Sequence, residues 1–432
     1  MSDVAITPIR RPFDAAVTPP GSKSLTNRAL ILAALAAGPC RVANVLLADD
    51  SAVMLDGLRR LGFEVAVDGT TVTVDGQGGR VPASAADLFC GNSGTTIRFL
   101  AALCALGHGT FALDGVARMR QRPIGELVDV LSSLGAKLDY VGEPGYPPVR
   151  VTADGLAGGR MTYGTAKSSQ FLSAVLMAAP YAREELTVAL QGPQTSWPYV
   201  AMTMRLMDTF GVTSLLLRDP LTAEPKEVTV PLGTYAATDY SVEPDASGAA
   251  YFWALAALHE GGRVTVPGLG KNSIQGDLGF AGVLSKMGAA VSVGVDDVTV
   301  VGTGQLNGMD IDLSAMPDQA QTLGVVALFA RGPTRISGLR TLRVKETDRL
   351  AAMAAELVKF GAGVTVDGDD AITVRPPPTV TAGVAVDTYD DHRMAMSFAL
   401  AGTRVDGVLI RDSECVRKTY PTFFEELAKS RG

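Results

Sequence analysis

The chemistry open to this chain is set by carboxylates that sit among cations. Asp49, Asp50, Asp245, Asp318, Glu346 and Asp391 are the candidate acids and bases. The run Arg343-Val344-Lys345-Glu346-Thr347-Asp348-Arg349 is the densest charged segment. If it is helical, Lys345 lies one turn from Arg349 and Glu346 lies beside Arg349. Asp391-His392-Arg393, Arg417-Lys418-Thr419, Arg98 and the group Arg118, Arg120 and Arg122 extend the cationic set. Between Ala15 and Ala48 there is no acidic residue, yet Lys23, Arg28 and Arg41 all occur there. Positioned carboxylates move protons, and fixed cations of this density suit a substrate with several negative charges. Gly21-Ser22-Lys23-Ser24, Gly91-Asn92-Ser93-Gly94-Thr95-Thr96 and Ser168-Ser169-Gln170 point the same way. Each precedes an apolar run, so each is a candidate helix start whose N–H groups can approach an anion closely. The ordinary role of such residues is capping, and Asp318 is equally placed to be an N-cap.

Other chemistries lack their signals. Gly21-Ser22-Lys23-Ser24 has no upstream glycine of a P-loop. Three histidines, His108, His259 and His392, are too few and too scattered for a histidine-rich metal site. Cys40, Cys90, Cys104 and Cys415 have no C-x-x-C spacing, so neither a disulfide framework nor a thiolate zinc site is indicated. No nucleophile-elbow motif occurs. A net charge of -7 opposes general binding to nucleic acid or membrane surfaces. Apolar runs such as Ala29 to Ala37 are shorter than a span of about 20 residues, and the amino terminus has no signal-peptide pattern. A cytoplasmic protein is expected.

The elements that must position these groups repeat. An amphipathic stretch ending in an apolar residue, a short gap and glycine closes at Gly62, Gly135, Gly211, Gly288 and Gly361, at intervals of 73, 76, 77 and 73 residues. Each glycine is where a helix C-cap needs a left-handed residue, and a sixth copy would end near Leu427. A polar head followed by about ten mostly apolar residues begins near Ser24, Thr95, Ser169, Ser247, Asp318 and Asp391, at intervals of 71, 74, 78, 71 and 73. Helices apolar nearly all round must be buried, and the glycine-terminated ones belong outside. Short alternating strands such as 72–74, 188–190, 264–266, 299–301 and 372–374 separate them. Six modules of strands and helices in 432 residues predict two domains of three modules each, with a break near 236–242. On pattern alone, residues 5–17 fit either half.

Six segments, in order, resemble the 5-enolpyruvylshikimate 3-phosphate synthase family. They are Pro20-Gly21-Ser22-Lys23-Ser24-Leu25-Thr26-Asn27-Arg28-Ala29-Leu30, Gly91-Asn92-Ser93-Gly94-Thr95, Arg122-Pro123-Ile124, Ser168-Ser169-Gln170-Phe171, Val344-Lys345-Glu346-Thr347-Asp348-Arg349-Leu350 and Asp391-His392-Arg393-Met394-Ala395-Met396. The resemblance implies an α/β, two-domain enolpyruvyl transferase fold, an inverse α/β barrel of six β-α-β-α-β-β repeats with buried helices. Residues 1–20 with 241–432 would form one domain, residues 21–240 the other, and the active site would lie in the cleft between them. It implies transfer of the enolpyruvyl group of phosphoenolpyruvate to the 5-hydroxyl of shikimate 3-phosphate, with no cofactor or metal, by a protein that is usually monomeric. Carried over by motif, shikimate 3-phosphate would contact Lys23, Ser24, Arg28, Ser168, Ser169, Gln170, Ser196, Tyr199, Asp318, Thr341 and Lys345. Phosphoenolpyruvate would meet Lys23, Gly94, Arg122, Gln170, Arg349, Arg393 and Lys418. Glu346 would donate the proton, and Asp318, assisted by Lys23, would hold or deprotonate the hydroxyl. Thr341 stands where the family commonly has Asn, which implies a weaker or water-mediated acceptor contact. Phe99 replaces a frequent Pro beside the phosphoenolpyruvate loop, where altered family members can resist glyphosate, a phosphoenolpyruvate mimic, while Gly94 is present where an Ala would signal resistance more directly; the resemblance leaves glyphosate sensitivity open. The alternative, UDP-N-acetylglucosamine enolpyruvyl transferase, shares fold and donor but uses a loop cysteine, and no cysteine follows the segment Arg118 to Pro123 closely.

Overall fold

A helix with no charged face is stable only when enclosed, and half of the helices among the described residues are almost wholly buried. The computed structural model describes residues 3–431. Lys23–Val242 form one compact unit, here the central unit; Met1–Ser22 and Glu243–Gly432 together form the other, the terminal unit. The central unit contains α1 (Lys23–Leu35), α2 (Asp49–Arg60), α3 (Gly94–Ala105), α4 (Gly125–Ser133), α5 (Ser169–Ala178) and α6 (Trp197–Thr209). The terminal unit contains α7 (Ala246–Leu258), α8 (Gly279–Met287), α9 (Ala320–Ala327), α10 (Arg349–Lys359), α11 (His392–Arg404) and α12 (Phe423–Lys429).

The odd-numbered helices are the buried ones. Every residue of α3, α7 and α9 is buried, and α7, Ala-rich with Tyr251, Phe252 and Trp253, has no polar face at all. The even-numbered helices are amphipathic, and five of them stop at the expected glycines. Gly62, Gly135, Gly211, Gly288 and Gly361 all have φ between 88° and 121°, a region that costs a residue with a Cβ and costs glycine little.

Among the described residues six sheets cover these helices, five with four strands and one with three. The sheet of the second module is typical. Ala85–Phe89 runs parallel to His108–Asp114 across α3, and the hairpin Lys137–Tyr140/Val149–Asp154 completes it antiparallel. The module is therefore β-α-β-α-β-β, as expected. Two modules take their first strand from far along the chain: Tyr240–Ser241 pairs with Val42–Ala43, and Asp14–Ala16 pairs with Arg263–Thr265. The last module departs from the pattern. It has no terminal hairpin, and Val4–Ala5 pairs with Leu409–Ile410 instead. Both early strands thus lie in sheets of the terminal unit, and the chain crosses between units near Ser22, whose N–H donates to the Glu243 carbonyl at 2.8 Å. Among the described residues, no helix is long and apolar enough to cross a membrane.

Candidate active site

In the terminal unit the charged residues converge on Arg349, the first residue of α10. Its side chain is 1% exposed and meets three carboxylates: Asp318 at 2.9 Å, Glu346 at 2.9 Å and Asp391 at 2.7 Å. Asp318 is also paired with Lys345 at 3.1 Å and Arg393 at 3.5 Å, and Glu346 lies 3.7 Å from Lys418. Four cations therefore enclose three carboxylates. A single buried ion pair barely offsets its desolvation; an interlocked set of this kind fixes each group.

Two local expectations are revised here. The run from Arg343 to Arg349 is not one helix. A 3-10 turn covers Arg340–Val344, the chain then loosens, and α10 begins at Arg349 because Asp348 caps it by accepting Ala351 N–H at 3.0 Å. Lys345 and Arg349 meet through Asp318 rather than by helical stacking. Asp318 itself lies in the 3-10 turn Pro317–Gln319 and caps nothing; its carboxylate is spent on cations. Burial pushes the Asp318 carboxyl up, but Lys345, Arg393 and Arg349 outweigh that and hold it far below the usual carboxylate range. Burial lowers the Lys345 ammonium from its ordinary value despite Asp318. Thr341 is buried in the preceding 3-10 turn, and its hydroxyl has no hydrogen-bond partner there. Asp391 caps α11 by accepting Arg393 N–H at 2.8 Å.

The central unit uses helix heads and cations. Ser93 caps α3 by accepting Thr96 N–H, and Ser168 caps α5 by accepting Gln170 N–H at 3.3 Å. Ordinary capping therefore operates at both. Arg122 is held by the Asn92 carbonyl at 2.8 Å, which sets its guanidinium against Gly94: a Cβ there would stand 2.6 Å from Arg122 Nη2 and 2.7 Å from Arg98 Nη1. Arg98 donates to Gln170 Oε1 and to the Pro123 carbonyl, stacked over Phe171. Lys23 pairs with Asp50 at 3.3 Å. Arg28 is fully enclosed. It bonds Thr203 Oγ1, the Ser24 and Tyr199 carbonyls and Ser173 Oγ, and burial pushes its pKa down to about 10. Ser196 takes a left-handed conformation, φ 51°, at the head of α6. Asp49 is exposed, and Asp245 caps α7 by accepting Ser247 N–H at 3.0 Å.

A family model described as EPSP synthase (3-phosphoshikimate 1-carboxyvinyltransferase) matches residues 8–427. The chain belongs to the EPSP synthase family. Relatives named 3-phosphoshikimate 1-carboxyvinyltransferase include one from Vibrio atlanticus, 45% identical, and one from Sulfurovum sp., 46% identical, each over 432 residues and 99% of both chains. Among solved structures, EPSP synthase from Acinetobacter baumannii superposes with a TM-score of 0.82 at 29% identity, covering 99% of this chain and 98% of that one. The enolpyruvyl transferase NikO from Streptomyces tendae matches in fold alone, with a TM-score of 0.77 at 20% identity over 99% and 96% of the two chains.

Several residues of this EPSP synthase family member matter more than sequence reasoning assigned. Arg98 and Asn92 fix Gln170 and Arg122, and Tyr251 Oη lies 3.5 Å from Arg393. An arginine inside an otherwise apolar helix was the available signal for Arg98. Asp391, weighed only as an acid or base, is the anchor of Arg349.

Proposed function

We propose that this chain transfers the enolpyruvyl group of phosphoenolpyruvate to the 5-hydroxyl of shikimate 3-phosphate, releasing phosphate, in the biosynthesis of aromatic amino acids. The observation that carries the reading is the Arg349 cluster, which holds Glu346 and Asp318 among Lys345, Arg393 and Lys418. In this reading the acceptor hydroxyl attacks C2 of phosphoenolpyruvate, its proton passing to the phosphate group of that substrate, while protonated Glu346 gives its proton to C3. The tetrahedral intermediate then expels the protonated phosphate as the C3 methyl returns a proton to Glu346, which forms the enol ether of the product. The depressed pKa of Asp318 makes it a hydrogen-bond acceptor that orients the hydroxyl, a role more natural to it than that of a strong base. Lys23, Ser24, Arg28, Ser168, Ser169, Gln170, Ser196, Tyr199, Asp318, Thr341 and Lys345 bind shikimate 3-phosphate. The unmatched Thr341 hydroxyl supports its share of that contact. Lys23, Gly94, Arg122, Gln170, Arg349, Arg393 and Lys418 bind phosphoenolpyruvate. The protein works in the cytoplasm as a monomer, without metal.

The UDP-sugar alternative gains no support. Cys40, Cys90 and Cys104 are buried and Cys415 is partly covered, so none is an exposed loop thiol. Phosphate release is measured with phosphoenolpyruvate and either shikimate 3-phosphate or UDP-N-acetylglucosamine, with no metal added. Release with shikimate 3-phosphate alone is expected; release only with the UDP-sugar, or with neither, would overturn the proposal.

A further inference from the structure

Asp391 and Arg393 follow a turn that is costly to form. The turn Thr388–Asp391 is closed by Asp391 N–H on the Thr388 carbonyl at 2.9 Å, and both residues inside it are left-handed, Tyr389 at φ 55° and Asp390 at φ 54°. Positive φ at two successive positions marks a type I′ turn, whose sites belong to Gly, Asn and Asp. A bulky aromatic residue there persists only when its surroundings over-determine it.

Glu356 supplies that constraint. It lies on α10, completely buried, and has no place in the acid-base scheme. Tyr389 Oη donates to its Oε1 at 2.7 Å, and Asp387 N–H donates to its Oε2 at 3.2 Å. Lys359 closes the set, 2.8 Å from Glu356 and 2.7 Å from Asp387. A buried carboxylate is tolerable only when its oxygens are bonded, and here two of those bonds are to the segment entering the turn. The same helix therefore grips both sides of the Asp391 head. Arg349, at its start, holds the Asp391 carboxylate, and Glu356, about two turns later, holds Tyr389 and Asp387 just upstream.

We infer that Glu356 and Tyr389 are positioning residues for Arg393, holding a strained turn so that the first turn of α11 is presented to phosphoenolpyruvate. The substrate named here rests on the proposed function; the positioning does not. Tyr389→Phe removes one hydroxyl, and Glu356→Gln sets an amide donor among donors. In each, KM for phosphoenolpyruvate is expected to rise about five- to tenfold while kcat and KM for shikimate 3-phosphate stay within about twofold. The double variant should show less than the product of the two effects. Hydrogen exchange of the amides of Asp391 and Arg393 should quicken at least about tenfold in both single variants. A lowered melting temperature with exchange and both KM values unchanged would describe a merely structural clamp and overturns the inference. A wild-type chain that turns over neither acceptor overturns the functional reading instead, and exchange then decides the positioning by itself.

Discussion

Arg28 of the central unit and Arg349 of the terminal unit are each 1% exposed, yet their surroundings are opposite in kind. Among the described residues Arg28 is held by hydroxyl and carbonyl oxygens and has no carboxylate partner, so burial pushes its pKa down to about 10. Burial acts on Arg349 too, but Asp391, Glu346 and Asp318 more than reverse it and raise its pKa. Neutral acceptors leave a cation with its charge undiminished, which suits the capture of an anion. Carboxylates around a cation are themselves fixed by it, which suits proton transfer. One repeated architecture thus carries two kinds of site, because the residues at the helix heads differ while the modules behind them do not.

The comparison breaks first at Glu346, if it is wrong. Glu346→Gln should lower kcat about 10²- to 10⁴-fold while leaving the affinity for shikimate 3-phosphate nearly intact, as read from steady-state rates and a binding titration. Unchanged turnover would remove the acid from the terminal unit and with it the division of labour. The next test is stability. Arg349→Met removes the cation that three buried carboxylates share, leaving Asp318 to Lys345 and Arg393 and Glu346 to Lys418, and should cost about 3–5 kcal/mol, whereas Arg28→Met leaves only neutral acceptors and should cost about 1–3 kcal/mol. Urea unfolding of the two variants decides it, and equal losses would erase the distinction between the arginines. A smaller effect belongs to Gly94→Ala. Its Cβ would press on guanidinium groups pinned by the carbonyls of Asn92 and Pro123. KM for phosphoenolpyruvate should rise roughly tenfold, comparable to one lost hydrogen bond to a charged group. A normal KM would mean that Arg122 does not bind this substrate from the position it holds here.

Much of this was legible in the sequence, for identifiable reasons. The buried helices announce themselves because apolar residues on every side leave no other place for them, and the closing glycines because a left-handed C-cap excludes most alternatives. The charged heads were likewise visible as residue types. Their pairings were not. Whether Asp318 caps a helix or meets Lys345 depends on where a segment some 27 positions later returns, and no local pattern encodes that. Asp348 starts α10 by capping it, which places the helix start at Arg349 and keeps residues 343–348 outside it. The left-handed pair Tyr389–Asp390 was hidden for the opposite reason, since its cause, Glu356, lies on another helix and outside every motif. Strand partners drawn from residues 4–5 and 14–16 escape periodicity altogether, because pairing across most of the chain leaves no repeat.

The mildest expected effect sharpens the comparison through its histidines. His108, in the central unit, is 76% exposed beside Asp154 and has a charged partner in water. His259, in the terminal unit, is buried at the end of α7. Its Nδ1 lies 3.0 Å from the Leu255 carbonyl and its Nε2 3.1 Å from the Thr403 carbonyl, with the edge of Phe13 against the ring and Arg404 nearby. Burial is the largest influence and, despite the two carbonyls, leaves the His259 pKa below its ordinary 6.5, with Arg404 acting in the same direction. The unfolded chain therefore takes up this proton first. The stability tied to a neutral His259 is complete above about pH 6.5 and is lost as the pH falls below that value toward the folded pKa. In His259→Gln the fall in unfolding midpoint between about pH 7.5 and 5.5 should be smaller than in wild type. His108, His392 and the carboxylates are present in both proteins, so the difference in slope isolates one ring. Equal slopes in wild type and His259→Gln would mean that the carbonyls of α7 and α11 hold the proton as firmly as water does, and that burial is not what distinguishes this histidine.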